Sequence, residues 1–118
     1  MFEVVFYETA TGEKPAKAFL LALATKLRAK AFSTICLLEE NGNELREPYS
    51  KYITNGIFEL RVKQSTDIVR VFYFFVEGKR IILTNGYTKK QEELDKRELE
   101  RAIQYKRDHE RRHGHERV

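Results

Sequence analysis

The residues best able to do chemistry lie on strands with alternating character. In Ile57-Phe58-Glu59-Leu60-Arg61-Val62-Lys63, the apolar Phe58, Leu60 and Val62 share one face, and Glu59, Arg61 and Lys63 share the other. The next strand, residues 68–76, is apolar throughout except for Arg70. It reads as central and covered on both sides, where a charge is costly unless paired or near the strand end. A four-residue loop Gln64-Ser65-Thr66-Asp67 would set Arg61 opposite Arg70 and Lys63 opposite Ile68. A two-residue turn at Glu77-Gly78 would set Asn85 opposite Arg70 and bring Tyr87, with Lys89, toward the same face. Several cations and one tyrosine would then converge, with Glu59 nearby.

Like charges facing one another across strands destabilise a sheet, so a fold that keeps them usually needs them. Phosphate is the natural ligand, and arginine meets it with two parallel hydrogen bonds. RNA carries its own nucleophile, the 2′-hydroxyl. Its cleavage needs a base for that hydroxyl, positive charge for the phosphorane and an acid for the leaving 5′-oxygen. A lysine among like charges can act as base, whereas an arginine holds its proton and supplies charge. The same pattern also fits a solvated sheet face carrying cations for solubility, and pattern alone does not separate the two.

These residues need a framework. A short strand is expected over residues 2–7, then a turn at Thr11-Gly12 and a helix opened by Pro15. Phe19, Leu23 and Leu27 form one helical face, which Ala31, Ile35 and Leu38 extend. We expect two helices broken near Ala24-Thr25, with Thr25 as cap, ending at Asn41-Gly42-Asn43. Residues 43–56 read as a polar connector, followed by strands over 57–63, 68–76 and 79–87. A long polar helix from Gln91 to about Arg112 carries Leu94, Leu99, Ala102 and Ile103. The order β-α-α-β-β-β-α implies an α+β domain with an antiparallel-dominated sheet, two N-terminal helices on one face and a C-terminal helix.

Length and composition set the bounds. The 118 residues suit one domain, and no apolar run approaches a membrane span. The first residues read as a strand, not a signal peptide. The single Cys36 excludes an internal disulfide, fits a reducing cytoplasm and sits in an apolar helical pattern, where it acts as a small hydrophobe. A net charge of +4 suggests a polyanionic partner. His109 and His113 are one helical turn apart and His115 follows, which raises a metal site, but a matching Cys or carboxylate set is missing from the pattern. Residues 109–118 therefore read as a charged, frayed tail, dispensable for folding, beyond a domain of residues 1–108. Neither a metal nor another cofactor is called for.

The order of elements resembles the RelE/ParE toxin superfamily. So do Phe58-Glu-Leu-Arg61-Val-Lys63, Ile68-Val-Arg70-Val-Phe72-Tyr73 and Asn85-Gly86-Tyr87-Thr88-Lys89-Lys90. The chain is most similar to the phage-derived HigB branch, over about residues 1–107, and Gly12-Glu13-Lys14-Pro15 and Leu37 to Gly42 fit that branch too. The resemblance implies a metal-free endoribonuclease that enters the ribosomal A site and cuts messenger RNA. It implies a cytoplasmic toxin neutralised by a helix-turn-helix, HigA-like antitoxin, reaching operator DNA only through that antitoxin. Arg61 and Lys63 resemble the family's basic pair, with one as base. Arg70 resembles the arginine that stabilises the transition state, and its removal is expected to spare the fold. Lys89 or Lys90 resembles the basic residue after the last strand. A stacking tyrosine at the start of the last helix is absent, so Tyr87 would have to serve, with Asn85 and Glu59 as further substrate contacts. A ParE-like gyrase inhibitor shares the fold, but the Arg61, Lys63 and Arg70 set favours the nuclease. An RNA-binding module of the RRM type lacks its Gly-aromatic signature here.

Overall fold

A computed structural model describes residues 1–89 and 94–114 of the chain. Its elements are β1 (Glu3–Phe6), α1 (Pro15–Leu21), α2 (Thr25–Asn41), a 3-10 turn (Gly42–Glu44), β2 (Ser50–Thr54), β3 (Ile57–Gln64), β4 (Asp67–Val76), β5 (Arg80–Lys89) and α3 (Lys96–His113). The strands form one sheet in the order β1-β5-β4-β3-β2. All pairs are antiparallel except β1 with β5. The α+β class is as expected, with one strand more. That strand, β2, lies in the stretch read as a connector. It is an edge strand with Lys51 and Tyr52 exposed, so hydrophobic pattern does not mark it. Asn55 (φ 53°) and Gly56 (φ 77°) both adopt left-handed backbone and close the hairpin onto β3.

Two helical layers cover the sheet. On one face Ala16 and Leu20 of α1 and Leu27, Ala31, Ile35 and Leu38 of α2 pack on Leu60, Val62, Val69, Val71 and Leu83. On the other, Ala102 of α3, with Leu99 and Ile103, packs on Ile57 and Phe72. Gly86 lets α1 approach β5: a Cβ there would lie 2.6 Å from the Phe19 ring.

Several local expectations need correction. The break between α1 and α2 falls where expected, but Ala24 occupies the cap position and Thr25 is the first helical residue, so Thr25 caps nothing. Cys36 is exposed, because it projects from the solvent side of α2. The last helix is capped by Asp95, which accepts from the Arg97 and Glu98 N–H groups. It runs to His113, whereas residues 109–118 were expected to fray. His109 is buried, edge-on to Phe74 at 5.5 Å and stacked on His113 at 4.3 Å. The Tyr7 hydroxyl donates to Asp108 at 2.5 Å, and Arg112 donates to the Glu8 carbonyl. These bonds tie the helix end to the residues after β1. Among the described residues no helix is long and apolar enough to cross a membrane, and no three metal-ligating side chains gather. His115 lies outside the described residues.

Candidate functional site

The β3–β4 hairpin has the expected register. Arg61 pairs with Arg70 and Lys63 with Ile68, and pairing continues to Gln64 with Asp67. The β4–β5 register does not follow expectation. Tyr87, not Asn85, lies opposite Arg70, and Lys89 lies opposite Ile68. Two causes add. The turn holds three residues, Glu77-Gly78-Lys79, since Val76 pairs with Arg80. A bulge then sets Thr84 and Asn85 together against Phe72. Each adds one step. Asn85 therefore falls beneath α3, where its Nδ2 donates to the Glu98 carbonyl at 3.0 Å. It is buried there.

Two rows cross the sheet on the face shared with α3. One is Arg61, Arg70, Tyr87 and the other Lys63, Ile68, Lys89. Tyr49 extends the first row, because its carbonyl accepts from the Arg61 N–H at 2.8 Å. Lys63 is exposed and Lys89 half-buried. Lys90 lies outside the described residues.

Glu59, expected at the substrate, lies inside the fold. Its carboxylate is fully buried and accepts from Arg61 Nε at 2.6 Å and from Arg70 Nη1 at 3.3 Å. One buried acid thus holds two arginines from adjacent strands. Arg70 is only 1% exposed, whereas the Arg61 side chain is 28% exposed and also lies 3.8 Å from Glu47. Arg61 is therefore the more accessible of the two guanidiniums. Tyr87 packs against Phe72 at 5.9 Å within the α3 cluster, and its hydroxyl accepts from the Asp95 N–H at 3.0 Å. Burial pushes that hydroxyl above the ordinary tyrosine range, partly offset by the Asp95 N–H and the nearby Arg70 charge. Its ring is half-buried in that cluster.

Two clefts flank Arg61. One, of ≈ 280 Å³, has Glu59 and Arg70 at its base and Lys51, Tyr52, Ile53 and Leu94 around it. The other, of ≈ 260 Å³, lies between α2 and the end of β3 and includes Lys30, Tyr49, Lys63 and Ile68. Lys30, Tyr49 and Lys51 were not anticipated. The Asn55-Gly56 turn carried part of the signal for the last two: a hairpin there runs Lys51 and Tyr49 back along β3, and the irregularity between Tyr52 and Thr54 shifts Lys51 from Leu60 to Glu59 and Tyr49 to Arg61. Nothing local in the sequence marks Lys30.

A family model described as "Phage derived protein Gp49-like (DUF891)" matches residues 18–107. That span contains every residue of both rows. No curated protein matches the chain.

Proposed function

This chain belongs to the phage-derived Gp49-like family, a RelE-like toxin family, and from that membership we propose that it is the toxin of a type II toxin–antitoxin pair that cuts messenger RNA on the ribosome. One observation carries the nuclease reading: Arg61, Lys63 and Lys89 lie on adjacent rows of one sheet face, and Arg61 and Lys63 line an open cleft.

In the proposed reaction the 2′-oxygen attacks the adjacent phosphorus and the P–O5′ bond breaks. The products are a 2′,3′-cyclic phosphate and a 5′-hydroxyl end. Lys63 takes the 2′-hydroxyl proton, and Lys89 delivers a proton to the departing 5′-oxygen. Arg61 faces the phosphorane oxygens with its guanidinium already oriented by Glu59, so little reorganisation is needed as charge develops. Arg70 acts one layer below, holding the Glu59 carboxylate in place. Among the described residues, the carboxylate buried beside the rows, Glu59, is already engaged by two arginines. The site therefore offers cations where a metal-dependent nuclease needs oxygen ligands. The partner is a helix-turn-helix antitoxin that covers the basic face or blocks ribosome entry.

Mapping transcript 5′ ends after brief induction tests this. The expected result is 5′-hydroxyl ends clustered in translated frames, absent with Lys63→Ala, and cleavage by purified toxin on programmed ribosomes that persists in EDTA. Intact transcripts with an SOS response would instead indicate gyrase inhibition and overturn the nuclease.

A further inference from the structure

We propose that the cleft between α2 and the end of β3 is a nucleobase pocket, with Tyr49 as the surface on which an unpaired base of the substrate stacks. The inference rests on the nuclease reading for the identity of the strand as RNA, and it adds a subsite to that reading.

Tyr49 is the tyrosine placed for this work. The residue is 44% exposed and continues the row of Arg61 and Arg70. The other tyrosines near the rows are occupied. Tyr87 is packed on Phe72. Tyr73 is buried, stacked on Phe58 and bonded to Ser50. Tyr52 is open to solvent, but its ring lies edge-on to Phe58 at 5.2 Å and its hydroxyl accepts from the Gly56 N–H, so it braces a turn. Among the described residues no ring contact engages Tyr49.

The cleft has the make-up a base requires. Beyond the pairing of Ser50 with Leu60 the β2–β3 ladder makes one more bond, from the Arg61 N–H to the Tyr49 carbonyl, and from Val62 onward β3 projects beyond its neighbour and leaves a notch. Val62 and Ile68 give the notch apolar lining, and its ≈ 260 Å³ is at the small end for ligand pockets, suited to one planar ring system. The rim is cationic. The Lys30 ammonium donates to the Lys63 carbonyl, which brings the positive end of α2's side chain onto the same edge as Lys63. Thr34 lines the cleft from α2, and its hydroxyl donates to the Lys30 carbonyl at 2.9 Å, so its oxygen retains accepting capacity toward a base edge. An aromatic platform beside cations that follow a phosphate chain is the general arrangement for holding single-stranded nucleic acid. With Arg61 bordering this cleft and the catalytic rows alike, a base seated on Tyr49 would fix which phosphate reaches Arg61.

The chain contains no tryptophan, so Tyr49→Trp installs a single fluorescent reporter at the proposed contact. A single-stranded RNA hexamer is expected to quench it saturably. A hexamer of the same charge with abasic residues is expected to leave it unquenched. Equal quenching by both, or none by either, overturns the pocket. In parallel, Tyr49→Ala should raise KM on programmed ribosomes roughly tenfold or more while kcat stays within a few-fold, the scale of one lost base–aromatic stack. Tyr49→Phe should recover most of that loss. Unchanged KM for Tyr49→Ala also overturns the pocket. If the wild-type chain cleaves nothing while the reporter distinguishes intact from abasic RNA, the nuclease fails and the pocket stands. If the wild-type chain cleaves and the reporter does not distinguish them, the pocket alone fails.

Discussion

At the scale of single residues, Glu59 changes what Arg70 is expected to do. An arginine surrounded by cations alone would relieve repulsion when removed, and the fold would tolerate Arg70→Ala. Arg70 instead shares a fully buried carboxylate with Arg61. Removing one member of such a set strands part of the acid's charge, at a cost of about 3 kcal/mol. We expect Arg70→Ala to lower the melting temperature clearly. Arg61→Ala, at a partly exposed position, should lower it less while cutting single-turnover cleavage by about 10²–10³-fold, the usual loss for a preorganised transition-state contact. Thermal melts paired with single-turnover cleavage check both. An unchanged melt for Arg70→Ala would show that the pair with Glu59 contributes nothing to the fold.

At the scale of elements, α3 is held at both ends, by the Asp95 cap near Tyr87 and by Asp108 against Tyr7. The Tyr7 hydroxyl bond, then Arg112, hold Asp108 down at about 2, against an ordinary 3.8. A carboxyl lowered on folding adds stability above its unfolded value and loses it as pH falls through the folded one. The Asp108 contribution should therefore be complete above about pH 4 and vanish toward pH 2. Burial, then the bond to Asp108, raises Tyr7 to about 12, so its share is complete below pH 10 and fades above. Asp108→Asn should cost about 1–3 kcal/mol near neutrality, the range for a hydrogen bond to a charged group. Melts from pH 2 to 7 should show the wild-type and variant curves merging at the acid end. A gap of constant size across that range would place the stabilisation elsewhere. The elements themselves were unequally legible. The β3–β4 register followed from alternation and a short loop, so Arg61 and Arg70 could be placed across from each other in advance. The bulge at Thr84 and Asn85 leaves no trace in hydrophobic pattern, since both residues are polar and yet buried. Glu59 looked like part of a solvated face because alternation reports which face a residue takes, not whether a later helix covers it. The burial of His109 was hidden likewise, as it depends on Phe74 and on bonds spanning nearly the whole chain.

At the scale of the whole molecule, a modest net charge of +4 conceals a local concentration. Lys30, Arg61 and Lys63 line one cleft, and Lys89 pairs across from Ile68, which lines the same cleft. If three or four of them meet phosphates, log K for single-stranded RNA should fall against log salt with a slope of about −2 to −3. Lys30→Ala should flatten that slope by about 0.7. Titrations at several salt concentrations measure it, and a slope near zero would mean that the basic face does not follow the backbone. The same topology also divides the molecule in time. All the site residues from Glu59 to Lys89 lie on successive hairpins, whereas β1 must find β5 from the far end of the chain, pairing Glu3 with Arg80. Closing the long loop costs more entropy than zipping adjacent strands, so the meander should assemble first and β1 dock late. Val71→Ala in β4 should then chiefly slow folding, and Val5→Ala in β1 chiefly speed unfolding, as the two arms of a stopped-flow chevron would report. The working surface would be in register before the fold around it has closed.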